Sequence, residues 1–483
     1  MQFATIFRIT GVLLMIFSLS MLPPLLVNAI YQEATARSFL ISFAVTFLSG
    51  FIAWLIFREN KNDLKTRDGF VVVVLFWTVL CIFGALPFII SPHPQVTFTD
   101  AIFESVSGLT TTGATVLRGL EQLPYSILYY RQQLHFLGGM GIIVLAVAIL
   151  PMLGIGGMQL YRAEIPGPIK DTKLTPRIAE TAKALWYIYV ALSVICTLAY
   201  WAAGMTFLDA LGESFSTVAT GGFSMHDNSF AYYNNSLIEI IGVVFMILGA
   251  TNFALHFVVL QRQTLMPYWV DVEFKAYMLF LLAGVLLTTF TLLLYGIYHS
   301  PTQGFIKSLF NVISIGTTTG LSSAPFALWP TFIPILLMLI GMVGGCAAST
   351  SGGIKVIRIL LLFKQGSREM RRLMHPKAVM TLKFGKQILS ENVIQAIWGF
   401  IAVFIALFTL LLLLLMAEGH SFMSAFGAVA ACLPNVGAGI GAAAADFAKL
   451  NNESKWILTF AMLAGRLEIF TVLILFTPAF WRG

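Results

Sequence analysis

The hydrophobic positions of this chain fall into long runs separated by short polar stretches. A helix that spans a bilayer needs about 20 mainly apolar residues. Ten runs qualify: 5–30, 38–57, 69–90, 131–153, 184–204, 236–260, 276–298, 331–363, 393–416 and 455–479. Between them lie four mixed segments, 98–113, 207–222, 305–320 and 422–437, too short and polar to span yet too apolar for ordinary loops. Segments of this character are often re-entrant. The first run stays apolar for longer than a signal-peptide core of about 7–15 residues and has no small-residue cleavage site, so it predicts a retained helix.

Composition agrees with this pattern. Of 483 residues, 58% are apolar and 11% charged, where a soluble domain carries roughly 25% charged residues. A soluble enzyme, a disordered chain and an ordinary nucleic-acid binder are excluded. The four cysteines (Cys81, Cys196, Cys346, Cys432) lie in apolar or Gly-rich stretches without CxxC spacing and read as buried thiols. The net charge of +7 reports topology first. With the N-terminus inside, 22 of the 29 Lys and Arg fall on the cytoplasmic side, six fall outside, and Arg466 sits within a span. That bias obeys the positive-inside rule only if the four short segments enter and leave by one face.

Aligned on one glycine, the short segments read FTDAIFESVSGLTTTG, FLDALGESFSTVATGG, FIKSLFNVISIGTTTG and FMSAFGAVAACLPNVG. The final glycines, Gly113, Gly222, Gly320 and Gly437, are 109, 98 and 117 residues apart. Fifteen positions before each stands Phe98, Phe207, Phe305 or Phe422; six before stands Ser107, Ser216, Ser314 or Ala431. No gap is needed. The predicted fold is an all-α membrane protein with four pseudo-symmetric units of helix, re-entrant half-helix, filter loop and helix around one pore. An N-terminal helix pair occupies 1–68, and the pore repeats occupy 69–183, 184–275, 276–392 and 393–483.

Non-helical backbone at membrane depth survives only where it is buried or lines a water-filled path. Each half-helix ends in such a stretch: Thr110-Thr111-Thr112-Gly113, Ala219-Thr220-Gly221-Gly222, Thr317-Thr318-Thr319-Gly320 and Pro434-Asn435-Val436-Gly437. Four of them around one axis would make rings of carbonyl oxygen able to replace the hydration shell of a potassium-sized cation. The candidate ion ligands are Thr111, Thr112, Thr220, Gly221, Thr318, Thr319, Asn435 and Val436. The half-helices would also point their negative C-terminal ends at the ion. The alternative is that these residues only kink helices or let them pack closely.

These motifs carry a resemblance to a known family. TTTGATV (110–116), ATGGFS (219–224), GTTTGL (316–321), PNVGAG (434–439) and GGCAASTSGGIK (344–355) resemble the Trk/Ktr/HKT superfamily of potassium transporters, and within it the TrkH-type bacterial membrane subunit. The likeness runs over essentially the whole chain. Glycine at the filter position of all four repeats implies potassium preference; Pro434, where relatives often have asparagine, is a departure. The resemblance also implies a bacterial inner-membrane location, a homodimer with one pore per protomer, and a cytosolic nucleotide-binding regulatory subunit of the TrkA type. The chain has no GxxxxGK[ST] or dinucleotide fingerprint in a polar segment, so no cofactor is expected on it, and nucleotide dependence would come from that partner. The basic segments 157–183 and 364–392 could dock the partner or hold anionic lipid.

The run 331–363 is interrupted by Gly344-Gly345-Cys346-Ala347-Ala348-Ser349-Thr350-Ser351-Gly352-Gly353. One glycine costs a helix about 1 kcal/mol, so four predict an unwound segment, unless they serve close helix packing. By resemblance this is the intramembrane loop that blocks the path beneath the filter. Arg466 reads as an electrostatic barrier there, with pairing to a buried Glu104 or Glu213 as the alternative. Lys355 reads as a snorkelling residue. Glu104 and Glu213 could make the pore entrance negative or hydrogen-bond loop backbone; His135 and His256 read as packing or hydrogen-bonding residues. A proton- or sodium-coupled symporter is the competing transport reading. An intramembrane hydrolase would need a nucleophile with an aligned base, and no such pair is evident.

Overall fold

The computed structural model describes residues 1–60, 66–144, 178–330, 332–378, 380–385 and 387–482. The chain begins with a helix at Phe3–Ser18 that continues through a short 3-10 turn into Pro23–Tyr31, followed by the helix Ala36–Phe57. These two legs cross at paired glycines. A Cβ on Gly11 would lie 2.7 Å from the Gly50 carbonyl oxygen, and one on Gly50 2.7 Å from that of Gly11. Small residues are what allow such backbone approach between membrane helices.

Four shorter helices follow at the positions of the mixed segments: Phe98–Leu109, Phe207–Val218, Pro301–Gly316 and Phe422–Cys432. After the role expected of them from the sequence they are the first to fourth pore helices. Their starts are encoded locally. The hydroxyls of Thr97, Thr206 and Ser421 accept the N–H of Asp100, Asp209 and Ser424, each satisfying a donor that a helix N-terminus leaves free. The third instead carries Pro301 in its first turn, where the missing N–H costs nothing. All four end in buried loops.

Longer helices frame them. Thr66–Gly84 runs on into Leu86–Ile90, and Tyr125–Val144, Ile178–Ala202, Val272–Leu294, Val356–Met374 and Glu391–Ala417 are further long helices. Among the described residues six helical stretches are long and apolar enough to cross a membrane, and eight if each bent pair is one span. Two runs expected as straight spans are bent. Ser236–Gly249 and Phe253–Arg262 meet at 96°, and Asn452–Arg466 and Ile469–Phe476 at 115°. The first bend has a local cause: Asn252 caps a new helix through the N–H of Ala254. The freed carbonyls of Gly249 and Ala250 accept from Thr350 and Cys346. The run 331–363 is split as expected, into Ile333–Val343 and Val356–Met374.

A two-residue antiparallel pairing, Lys383–Phe384 with Gln387–Ile388, was not anticipated. The end of the run 131–153, beyond Val144, lies outside the described residues, as do Arg162, Lys170, Lys173 and Arg177 of the basic segment 157–183, and Lys61 and Lys65.

Candidate ion-conduction site

Each pore helix closes with the same pair of hydrogen bonds. The N–H groups of Thr112, Gly221, Thr319 and Val436 donate to the carbonyls of Ser107, Ser216, Ser314 and Ala431 at 2.7–2.9 Å. One residue earlier, Thr111, Thr220, Thr318 and Asn435 donate to Gly108, Thr217, Ile315 and Cys432. This is the Schellman ending, which places the residue after the cap in the left-handed region. Those residues have φ of 49° (Thr111), 50° (Thr220), 57° (Thr318) and 57° (Asn435). Glycine usually fills that position. A β-branched threonine there is an outlier and costs on the order of 1–3 kcal/mol, so three of the four endings hold strained backbone.

Two residues further, Gly113, Gly222, Gly320 and Gly437 again have positive φ, between 79° and 95°. The residues between them do not. Backbone that alternates in the sign of φ turns successive carbonyls toward one side. The four glycines also touch one another's loops in sequence. A Cβ on Gly113 would run into the Gly221 carbonyl, one on Gly222 into that of Thr319, one on Gly320 into that of Val436, and one on Gly437 into that of Thr112. Loop one therefore abuts loop two, two abuts three, three abuts four, and four abuts one. The Asn435 amide adds a hydrogen bond to the Thr112 hydroxyl at 2.9 Å. The flanking Thr110 and Thr317 hydroxyls each lie 2.7 Å from those of Thr112 and Thr319.

Side chains on the pore helices tie down the chain that leaves each loop. Glu104 accepts from the Thr115 hydroxyl and the Val116 N–H. Glu213 accepts from the Ser224 hydroxyl at 2.6 Å and the Met225 N–H at 2.8 Å. Asn311 bonds the hydroxyls of Ser322 and Ser323. In the fourth segment close packing takes over, since a Cβ on Gly427 would run into the Ile440 carbonyl. The two glutamates are thus backbone anchors and are buried. Glu104 also pairs with Arg131 at 2.8 Å, both 1% exposed; Arg131, one of the six basic residues counted on the outer side, is buried in the bundle. His135 joins the Gly108 carbonyl (2.8 Å) to the Phe223 N–H (3.1 Å), and His256 the Tyr268 hydroxyl to the Leu248 carbonyl. Both histidines hydrogen-bond between elements.

The stretch 344–355 is non-helical and lies against the ends of three pore helices. Thr350 donates to the carbonyls of Val218 (3.1 Å) and Gly249 (2.9 Å) and meets the Thr220 hydroxyl. Gly352 N–H donates to the Thr318 hydroxyl at 2.6 Å, Ser351 lies 3.0 Å from that hydroxyl, and Gly353 N–H donates to the Pro434 carbonyl. The Gly345 N–H is held by Ser351, the Ser349 hydroxyl by the Cys346 carbonyl, and the Ala347 N–H by Glu273. Gly344 and Gly353, at φ 73° and 78°, pack backbone to backbone.

Arg466 is buried where its helix ends at the 115° bend. Its Nε and Nη2 have no hydrogen-bond partner among the described residues. Neither Glu104 nor Glu213 pairs with it, and Glu468 pairs with Arg358 at 3.0 Å. Lys355 does not snorkel: its ammonium donates to the Ser351 carbonyl, tying the loop to the helix that follows. Sequence reasoning missed Glu273 and the acceptor carbonyls at 249–250. The Gly249-Ala250-Thr251-Asn252 run was a legible signal for the second, a helix stop followed by a cap.

Residues 35–482 match the TrkH family, described as cation transport protein. The chain is 53% identical over 486 residues to the Trk system potassium uptake protein TrkH of Vibrio parahaemolyticus, and 51% identical over 482 residues to that of Escherichia coli K12, with all of both chains covered in each case. It is 34% identical to the potassium uptake protein TrkI of Halomonas elongata, covering 97% of that protein. The crystal structure of the potassium transporter TrkH from Vibrio parahaemolyticus superposes with a TM-score of 0.93 at 50% identity, over the full length of both chains. These relatives are transporters, not enzymes. With the match running along nearly its entire length, this chain belongs to the TrkH family of cation transport proteins.

Proposed function

We propose that this protein takes up potassium across the bacterial inner membrane through a selectivity filter built from the four loops at Gly113, Gly222, Gly320 and Gly437. The closed cycle of glycine-to-carbonyl contacts carries this reading. Four strands that abut in sequence around one axis, each with alternating φ, offer stacked carbonyl rings. The relatives' names supply the ion. Hydroxyls and glycines leave the ligands neutral, so desolvation is offset by carbonyl dipoles, and the ends of the pore helices add partial negative charge.

In this reading the 344–353 loop closes the path on the cytoplasmic side and Arg466 adds a positive barrier beneath it. Among the described residues Arg466 has no carboxylate partner, and such a charge repels a passing cation most strongly where water is excluded. A cytosolic nucleotide-binding subunit of the TrkA type, docked on the basic loops of a homodimer, supplies the signal that moves the loop. The termini face the cytoplasm.

Cation flux into liposomes holding the purified protein tests this. The expected outcome is potassium-selective flux that persists with no proton or sodium gradient. Flux that vanishes without a second ion's gradient would establish coupled symport in its place.

A further inference from the structure

The N-terminal helix pair stands outside the four pore segments, and the proposed conduction path assigns it no role. At one end it forms a cavity of about 830 Å³, lined by Arg8, Ile9, Val12, Leu13, Trp54, Arg58 and Glu59. The cavity follows from the helix crossing. Gly11 and Gly50 hold the two backbones in contact, and one turn beyond that point the larger Arg8 and Trp54 face the opening. Phe7 and Phe57, stacked with centroids 5.6 Å apart, brace the same end of the pair.

The lining divides by chemistry. Ile9, Val12 and Leu13 make an apolar wall, with Trp54 one turn before the charged residues. Arg8 and Arg58 make no ion pair or hydrogen bond with any described residue. Among the described lining residues, two guanidinium groups and one carboxylate leave one positive charge over. An indole beside basic residues at the end of a membrane helix sits at headgroup depth, and guanidinium is suited to binding phosphate oxygens.

We propose that this cavity is a binding site for one anionic phospholipid, with the phosphodiester held by Arg8 and Arg58 and the first acyl segment lying on Ile9, Val12 and Leu13. Charge balance selects the lipid. A phosphatidylglycerol phosphate neutralises the surplus charge, and its glycerol hydroxyls can donate to Glu59. A zwitterionic headgroup is neutral overall and leaves the surplus charge uncompensated. Assignment to the inner leaflet rests on the orientation proposed above; the site itself does not.

Native mass spectrometry of the full-length protein, released from mixed micelles of defined lipid, tests the proposal without reading ion flux. Phosphatidylglycerol is expected to stay bound at least fivefold more than phosphatidylethanolamine or phosphatidylcholine. The Arg8→Gln/Arg58→Gln variant should lose that preference while keeping its melting temperature. Val12→Trp leaves both arginines and fills the apolar wall, and it should lose the lipid as well. Equal retention of the three lipids, unchanged preference in either variant, or displacement of the lipid by millimolar inorganic phosphate would each overturn it. The last result would mark a site for free anions.

Discussion

At Gly113 two constraints coincide. The backbone has φ 84°, which side-chain-bearing residues rarely adopt, and a Cβ would run into the Gly221 carbonyl. Gly113→Ser is therefore expected to fold but to distort the ring at one quarter of its circumference. In the liposome assay potassium flux should fall and the preference over sodium should drop several-fold. Flux unchanged in both respects would place the filter elsewhere. Arg131 presents a different problem, that of a charge buried beside its partner Glu104. Removing one member of a buried pair costs roughly 3–5 kcal/mol because the other charge is stranded. Arg131→Met should lower the melting temperature sharply, and Glu104→Gln/Arg131→Met should recover part of the loss. The sequence showed Glu104 as a polar residue on an apolar half-helix, but not that its partner lay 27 positions on.

Among the elements, the loop at 344–353 holds its position through hydrogen bonds, with Cys346 and Ala347 packed into the core. Thr350 alone engages two carbonyls belonging to separate segments. The two share one hydroxyl proton, and a hydrogen bond contributes about 1 kcal/mol net, so Thr350→Val should shift the closed-to-open balance about fivefold toward open. Potassium flux measured without any regulatory subunit should rise correspondingly; a fall would mean the loop supports the conduction path. Arg466→Ala should raise the same basal flux by removing the unpaired charge. The unwound loop was legible from four glycines and three hydroxyls in ten residues. Its docking sites were legible only in part: the helix stop at 249–252 marks two free carbonyls, but nothing local assigns them, or the ends of the pore helices, to this loop.

For the molecule as a whole, contacts between segments decide the geometry. On the face opposite the 344–353 loop, His226 lies 3.7 Å from Asp209 of the second pore helix and 3.7 Å from Glu121 of the first segment's outer turn. Its ring stacks on Tyr232 at 3.5 Å. Burial opposes charging of the imidazole, but Asp209, Glu213 and Glu121 outweigh it and hold its pKa above the ordinary value. A group whose pKa is raised on folding stabilises the fold below its unfolded pKa, and loses that contribution as pH rises through the folded one. The melting temperature of wild type should therefore exceed that of His226→Gln in mildly acidic buffer. The difference should shrink as the buffer becomes alkaline. A difference that grows with pH would refute the assignment.

The sequence by itself determined the apolar helices and the Thr/Gly loops, because each depends on local chemistry; the third half-helix, expected from 305, starts earlier, at Pro301. Apolar length sets a span, a hydroxyl or proline sets a helix start, and glycine permits a positive φ. The shared register of Phe98, Phe207, Phe305 and Phe422 and of the four glycines was readable for the same reason. Tertiary structure alone decided the order in which the four loops abut, the bend at 466–468, the partner of Glu104, and the burial of Arg466 with no carboxylate beside it among the described residues. Those outcomes depend on which backbone carbonyls and buried charges meet once segments distant in the chain are packed together. No local pattern of residue types specifies such a meeting, and only the packed bundle does.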